Sequence, residues 1–99
     1  MGVIYDIIYH TQVVTHDIPS LSREWRTKIK RAIETKLSNS PEIFGIPLRN
    51  TLKNYRKLRV GDYRVIFRVE SKTIKIFAIG HRADIYTLSS NRTSQRNRY

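Results

Sequence analysis

The chain opens on a dense apolar run, Val3-Ile4-Tyr5-Asp6-Ile7-Ile8-Tyr9. Its β-branched and aromatic residues and its short length predict a well-buried strand. Val13 and Val14 come next, and Pro19 keeps a helix from running on, so residues 11–17 read as a short helix. Apolar positions then recur with helical spacing at Leu21, Trp25, Ile29, Ala32, Ile33 and Leu37. Arg23, Arg26, Lys28, Lys30, Arg31, Glu34 and Lys36 fill the other face. Ser20 is the expected N-cap of this helix. Ser38-Asn39-Ser40-Pro41 ends it, because turn-formers accumulate there and Pro41 bars continuation.

Residues 41–52 hold Pro41, Gly45 and Pro47 between packable residues such as Phe44 and Leu48, which predicts an ordered loop. The period then changes to two. Tyr55 to Val60 reads as a strand closed by Gly61-Asp62. In Tyr63 to Glu70, Tyr63, Val65, Phe67 and Val69 alternate with Arg64, Ile66 and Arg68. Ser71-Lys72 turns the chain into a last strand, Thr73 to Ile79. Connections this short imply an antiparallel meander. Residues 82–86 fit one helical turn, and Thr87 to Tyr99 reads as a mobile or partner-ordered tail with three Arg and no acid. The expected fold is therefore α+β in the order β-α-α-β-β-β. Two N-terminal helices pack on one face of a small antiparallel sheet, and the other face is left for a ligand. Residues 1–88 form the domain and 89–99 the basic C-terminal tail.

Charge sharpens this picture. The 99 residues hold 19 Lys+Arg and 8 Asp+Glu, a formal charge of +11. Residues 1–50 carry 7 basic and 5 acidic side chains, whereas residues 51–99 carry 12 and 3. A surplus kept only for solubility would have no reason to gather in one half, so a polyanionic partner is indicated. The absence of cysteine excludes disulfides, thiol chemistry and Cys-zinc sites. No apolar run approaches the roughly 20 residues that span a bilayer. With no signal-peptide pattern at the start, a cytoplasmic protein without a membrane partner is expected.

The three His, at 10, 16 and 81, have no ligand-like pairing, and no phosphate loop or nucleophile elbow is present. Neither a metal nor a cofactor is expected. Any chemistry then falls to Lys, Arg, Tyr and His. Six basic side chains lie between positions 53 and 68, interleaved with Tyr55, Tyr63 and Phe67. Such a stretch suits phosphate contacts with base stacking, although long cationic side chains lying over an apolar sheet give the same pattern.

Taken together, Lys57-Leu58-Arg59, Gly61-Asp62-Tyr63-Arg64-Val65-Ile66-Phe67, Ile79-Gly80-His81-Arg82 and Tyr86 resemble the RelE/ParE family of bacterial and archaeal toxins. The Trp-bearing helix and the Pro47-Leu48 loop agree, and the resemblance covers roughly residues 3–88. It implies a toxin of a type II toxin–antitoxin system, held inactive by an antitoxin with an acidic or amphipathic segment. In the RelE-like branch, which is favoured, the activity is mRNA cleavage at the ribosome without a metal. In the ParE-like branch the target is DNA gyrase and no nuclease activity exists. A basic nucleic-acid-binding module without catalysis is the third reading.

By that resemblance, Lys57 corresponds to a position of proton abstraction or phosphate contact. Arg64 corresponds to the group stabilising charge on the scissile phosphate, Arg82 to leaving-group protonation, and Tyr86 to orientation of the reacting nucleotide. Arginine in general is a poor acid, with a pKa above about 12, so Arg82 is better read as a hydrogen-bond donor to the leaving oxygen. The chain has Tyr55 where the best-known RelE pattern has a second Lys, which makes His81 a substitute for the base. The spacing from Arg82 to Tyr86 is also shorter than in that pattern. Arg56, Arg59, Arg68 and Tyr63 are the expected nucleic-acid contacts, and Arg92, Arg96 and Arg98 form a basic cluster in the tail.

Overall fold

The computed structural model describes residues 4–41, 45–49 and 52–93. Strand β1, Asp6–Tyr9, leads through a π-type turn at Val13–Asp17 to helix α1, Arg23–Ala32. That helix runs on as a wider π turn over Ile33–Leu37. Four strands follow: β2 (Ile46–Pro47), β3 (Arg56–Val60), β4 (Tyr63–Glu70) and β5 (Thr73–His81). Helix α2, Ile85–Thr93, closes the described chain. The α+β class and the β3–β4–β5 meander are as the periodicity predicts.

Ser22, not Ser20, caps α1, accepting from the Trp25 N–H at 3.3 Å. The Ser20 hydroxyl instead donates back to the His16 carbonyl at 2.8 Å. Leu21, Ile29, Ala32, Ile33 and Leu37 are buried against one sheet face with Leu58, Val65, Phe67, Ile74 and Ile76. This is the apolar stripe read from the sequence, and burial of these side chains is the main force holding the helix down.

The sheet is mixed rather than antiparallel. Its order is β1-β5-β4-β3-β2, with β1 parallel to β5 and the other pairs antiparallel. Short turns report only the directions of β3 to β5; β1 pairs with a strand more than sixty positions away, and no local pattern encodes that. Nor is β1 fully buried. It is an edge strand of alternating exposure, with Ile8 40% accessible. The 41–52 loop contributes a two-residue strand, β2, paired with Arg56 and Lys57. Its Phe44 lies outside the described residues.

The second face of the sheet is not open. Leu52, Tyr55, Ile66, Phe77, Ala78 and Ile85 form a second buried cluster there, with Leu48 and Leu88 packed against it. A bulge in β5 makes this possible. Ile66 pairs with Ala78 but Phe67 pairs with Ile76, so Phe77 is the extra residue. Phe77 and Ala78 thereby both belong to the second core. The C-terminal tail expected from position 87 onward does not begin there. Residues 85–93 form α2 on this face, and Arg92 within it is 4% exposed. Arg96 and Arg98 lie outside the described residues.

Candidate functional site

The β3–β4 hairpin sets the geometry of the cationic face. Its turn depends on Gly61, whose φ of +59° suits glycine. A Cβ there would come within 2.5 Å of the Trp25 ring. Trp25 on α1 therefore closes over the turn, and its ring lies 4.7 Å from that of Tyr63. Arg64 bends back under the turn and donates from Nη1 to the carbonyls of Gly61 (2.8 Å) and Tyr63 (2.9 Å). Only 7% of Arg64 is exposed.

Register places Lys57 opposite Ile66 and Arg59 opposite Arg64, while Arg64 faces Gly80 on its other side. Alternation puts Lys57, Arg59 and Arg64 on the face that α2 packs against. At the start of α2, Tyr86 reaches across: Lys57 Nζ donates to Tyr86 Oη at 2.6 Å and lies 5.4 Å from the ring centre. Tyr86 is 42% exposed, so the pair is open to solvent. The spacing from Arg82 is bridged by a turn, with Asp84 N–H donating to the His81 carbonyl at 2.9 Å. Among the described residues, no carboxylate lies within ion-pair distance of Lys57, Arg59 or Arg64. Three cations on one face without a counter-charge give that face a positive potential suited to an anion.

Arg82 stands at the hairpin end. Its backbone N–H donates to the Asp62 carbonyl at 2.8 Å, and its Nε lies 3.9 Å from the Asp62 carboxylate, with both side chains mostly exposed. An ion pair that loose holds the guanidinium weakly.

The remaining sequence candidates go elsewhere. The His81 ring meets Tyr63 edge-on at 5.7 Å, and its Nδ1 accepts from the Ala83 N–H. His81 and Tyr63 line a cleft of about 300 Å³ with His16, Asp17 and Asp84, which neither Lys57 nor Tyr86 enters. Tyr63 packs between Trp25 and His81. Arg56 donates to the carbonyl of Gly45, just before β2, at 3.1 Å. Arg68 pairs with Glu70 at 2.8 Å and lies over the Tyr55 ring. Glu70 also takes Lys75 at 2.9 Å; that hydrogen bond, followed by the charge of Arg68, holds its carboxyl below the usual carboxylate range. Lys57, Arg59, Arg64 and Tyr86 are thus gathered, with Arg82 at the margin, while Arg56, Arg68, Tyr63 and His81 are turned to other work.

Sequence reasoning missed the pair that links α2 to β5. Asp17 and Arg92 form a buried two-pronged ion pair, at 2.8 and 3.0 Å. The only signal was an acid at the end of a short helical segment and a base in a stretch read as tail. Among the described residues no group of three His, Cys, Asp or Glu is disposed to hold a metal, and no helix is long and apolar enough to cross a membrane.

Comparison with known proteins gives a consistent answer. Residues 5–86 match the family described as ParE toxin of type II toxin-antitoxin system, parDE. Toxin RelG of Mycobacterium tuberculosis is 40% identical over 52 residues, half of this chain, and the chain spans only 60% of RelG's length. Toxin RelE of the same organism is 28% identical over 86 residues, covering 82% of this chain and 89% of that one. A chain in the crystal structure of the toxin–antitoxin complex RelBE2 from Mycobacterium tuberculosis superposes with a TM-score of 0.76 at 28% identity, covering 83% of this chain and 95% of that one. With a family match that runs from β1 into α2, and toxins among its relatives, the chain belongs to the RelE/ParE family of type II toxin–antitoxin toxins.

Proposed function

We propose that this toxin is an endoribonuclease that cleaves mRNA at the ribosome, and that the face carrying Lys57, Arg59, Arg64 and Tyr86 is where it does so. The observation that carries this reading is the Lys57–Tyr86 hydrogen bond on a face of uncompensated cations. Cleavage needs a base for the 2′-OH, an in-line phosphate, stabilisation of charge building at phosphorus, and a proton for the departing 5′ oxygen. In this reading Lys57 takes the 2′-OH proton as that oxygen bonds to phosphorus. Arg64 and Arg59 hold the non-bridging oxygens. Arg82 donates a hydrogen bond to the 5′ oxygen as its bond to phosphorus breaks, with the proton supplied from Lys57 or water. Tyr86 orients both Lys57 and the nucleotide at the cleavage site. Arg64, anchored by two carbonyls, is already placed before the substrate arrives, which favours electrostatic stabilisation.

The deciding experiment incubates the purified toxin with translating ribosomes and maps mRNA ends. New ends should appear with wild type and vanish with Arg64→Ala. Intact mRNA, with toxicity retained by an Arg64→Ala Arg82→Ala variant, would sink the nuclease reading.

The family description, which names ParE and parDE, favours a second reading: inhibition of DNA gyrase by protein–protein contact. Accumulation of cleaved DNA–gyrase complexes on expression would select it. In both readings a cognate antitoxin is the partner, a role supported by the RelBE2 complex. Its acidic or amphipathic segment is expected to cover the cationic face.

A further inference from the structure

The Asp17–Arg92 pair sits where β5 loses its neighbour. β1 covers β5 only from Thr73 to Ile76, and His10 N–H extends that to the Ile76 carbonyl. Beyond that point the open backbone edge is closed by side chains. Ile79 N–H donates to Asp17 Oδ2 at 2.9 Å, and Arg92 Nη1 donates to the Phe77 carbonyl at 2.9 Å. The same two side chains bond each other twice. Asp17 is 2% exposed, so the pair is held in a setting where water competes little. His16 is the neighbouring titratable group, its Nδ1 3.2 Å from Asp17 Oδ1.

Helix α2 depends on tertiary contacts to hold it. Thr87, Ser89, Ser90, Asn91 and Thr93 are weak helix formers, and nine residues do not make a stable helix alone. Its buried residues are Ile85, Ser89 and Arg92, and Leu88 packs partly buried against the second core. Ile85 packs over Gly80 at one end, and Arg92 is bolted to Asp17 and β5 at the other. Two anchors on one helix face fix both rotation and translation. Tyr86 lies next to the first anchor and about 9 Å along the axis from the second, at 1.5 Å per residue.

From this we infer that Asp17 and Arg92 are positioning residues, whose ion pair sets the orientation of α2 and so holds Tyr86 against Lys57. The inference rests on the nuclease reading for its consequence in catalysis, but its geometric part stands without it. The pair touches no substrate in this scheme; it acts through Tyr86, whose displacement by even an ångström would spoil alignment.

The test labels the protein with 3-fluorotyrosine and assigns the Tyr86 ¹⁹F resonance by its loss in Tyr86→Phe. Arg92→Met and Asp17→Asn should move that resonance toward its position in Lys57→Met, while Tyr63, at the far face, keeps its own. In RNA cleavage, Arg92→Met should lower kcat roughly 10- to 100-fold with KM nearly unchanged. In a Tyr86→Phe background the same substitution should add less than about threefold, because the residue it acts through is already impaired. Arg92→Lys, which keeps the charge but not the fork, should fall between and serves if Arg92→Met does not fold. An unmoved Tyr86 resonance, or a full additional loss in the Tyr86→Phe background, overturns the inference. Absence of cleavage by wild type would instead overturn the nuclease reading and leave the resonance to decide the geometry.

Discussion

Arg59 and Arg64 stand directly opposite each other across the β3–β4 ladder, two like charges in one cross-strand pair. Such a pairing opposes folding by about 0.2–1 kcal/mol. Arg64 is buried and tied to backbone carbonyls, whereas Arg59 is exposed and carries the repulsion outward. The unfavourable pairing makes sense if a polyanion relieves it. Arg59→Ala should therefore raise the melting temperature by about 1–5 °C while weakening RNA binding. A drop in melting temperature would show that Arg59 stabilises the free protein instead.

Salt should report the same face. If Arg59 and Arg64 each neutralise one phosphate, they contribute about 1.4 to the slope of log K against log salt, at roughly 0.7 per contact for a single strand. Arg59→Ala should lower that slope by about 0.7 in a fluorescence anisotropy titration with a short RNA. An unchanged slope would place the RNA elsewhere.

Lys57 and Tyr86 should behave as one unit in cleavage. Lys57→Met and Tyr86→Phe should each reduce kcat by about 10²–10³-fold. The double variant should lose far less than the product of the two, since each leaves the other without its hydrogen-bond partner. Multiplying effects would mean that the bond in the free protein plays no part in the reaction.

Gly61→Ala should destabilise by about 1–3 kcal/mol, because alanine is strained at positive φ and its methyl collides with Trp25. Introduced beside Trp25→Ala, the same change should cost less, since only the backbone strain remains. Equal costs in the two backgrounds, measured by denaturant unfolding, would dismiss the steric part.

The pH limits of stability have identifiable sources. Glu70 is held below its ordinary range by Lys75 and then Arg68. A depressed carboxyl stabilises the fold above its unfolded value, near 4.3, and that contribution fades as pH falls through the folded value. Glu70→Gln should flatten the acid limb below about pH 4.5. Burial raises Tyr55, with Arg68 opposing and Glu70 assisting. Its contribution is present below about pH 10 and is lost as pH rises through the raised folded value. Tyr55→Phe should flatten the alkaline limb, and an unaltered profile in either variant would assign that limb to other groups.

The sequence by itself determined the elements whose cause is local. The helical stripe from Leu21 to Leu37 can be buried only on one side, and the alternation from Tyr63 to Val69 only as a strand. The Gly61-Asp62 turn and the short links fixed the meander of β3 to β5. The crowding of cations in residues 51–99 pointed to the half of the chain that carries the proposed site. What the tertiary structure decided depends on residues distant along the chain. The parallel partner of β1 lies beyond local pattern, because hydrogen-bond direction leaves no trace in side-chain periodicity. The bulge at Phe77 shifts which β5 side chains share a face. The segment after Tyr86 reads as a polar tail because its helix is stabilised from outside, by an aspartate 75 positions away in sequence. Cations that look equivalent in sequence are also separated there: Arg56 and Arg68 find local partners, and Lys57, Arg59 and Arg64 find no counter-charge among the described residues. Composition sets how much charge a chain carries; only packing sets which of it is left over for a ligand.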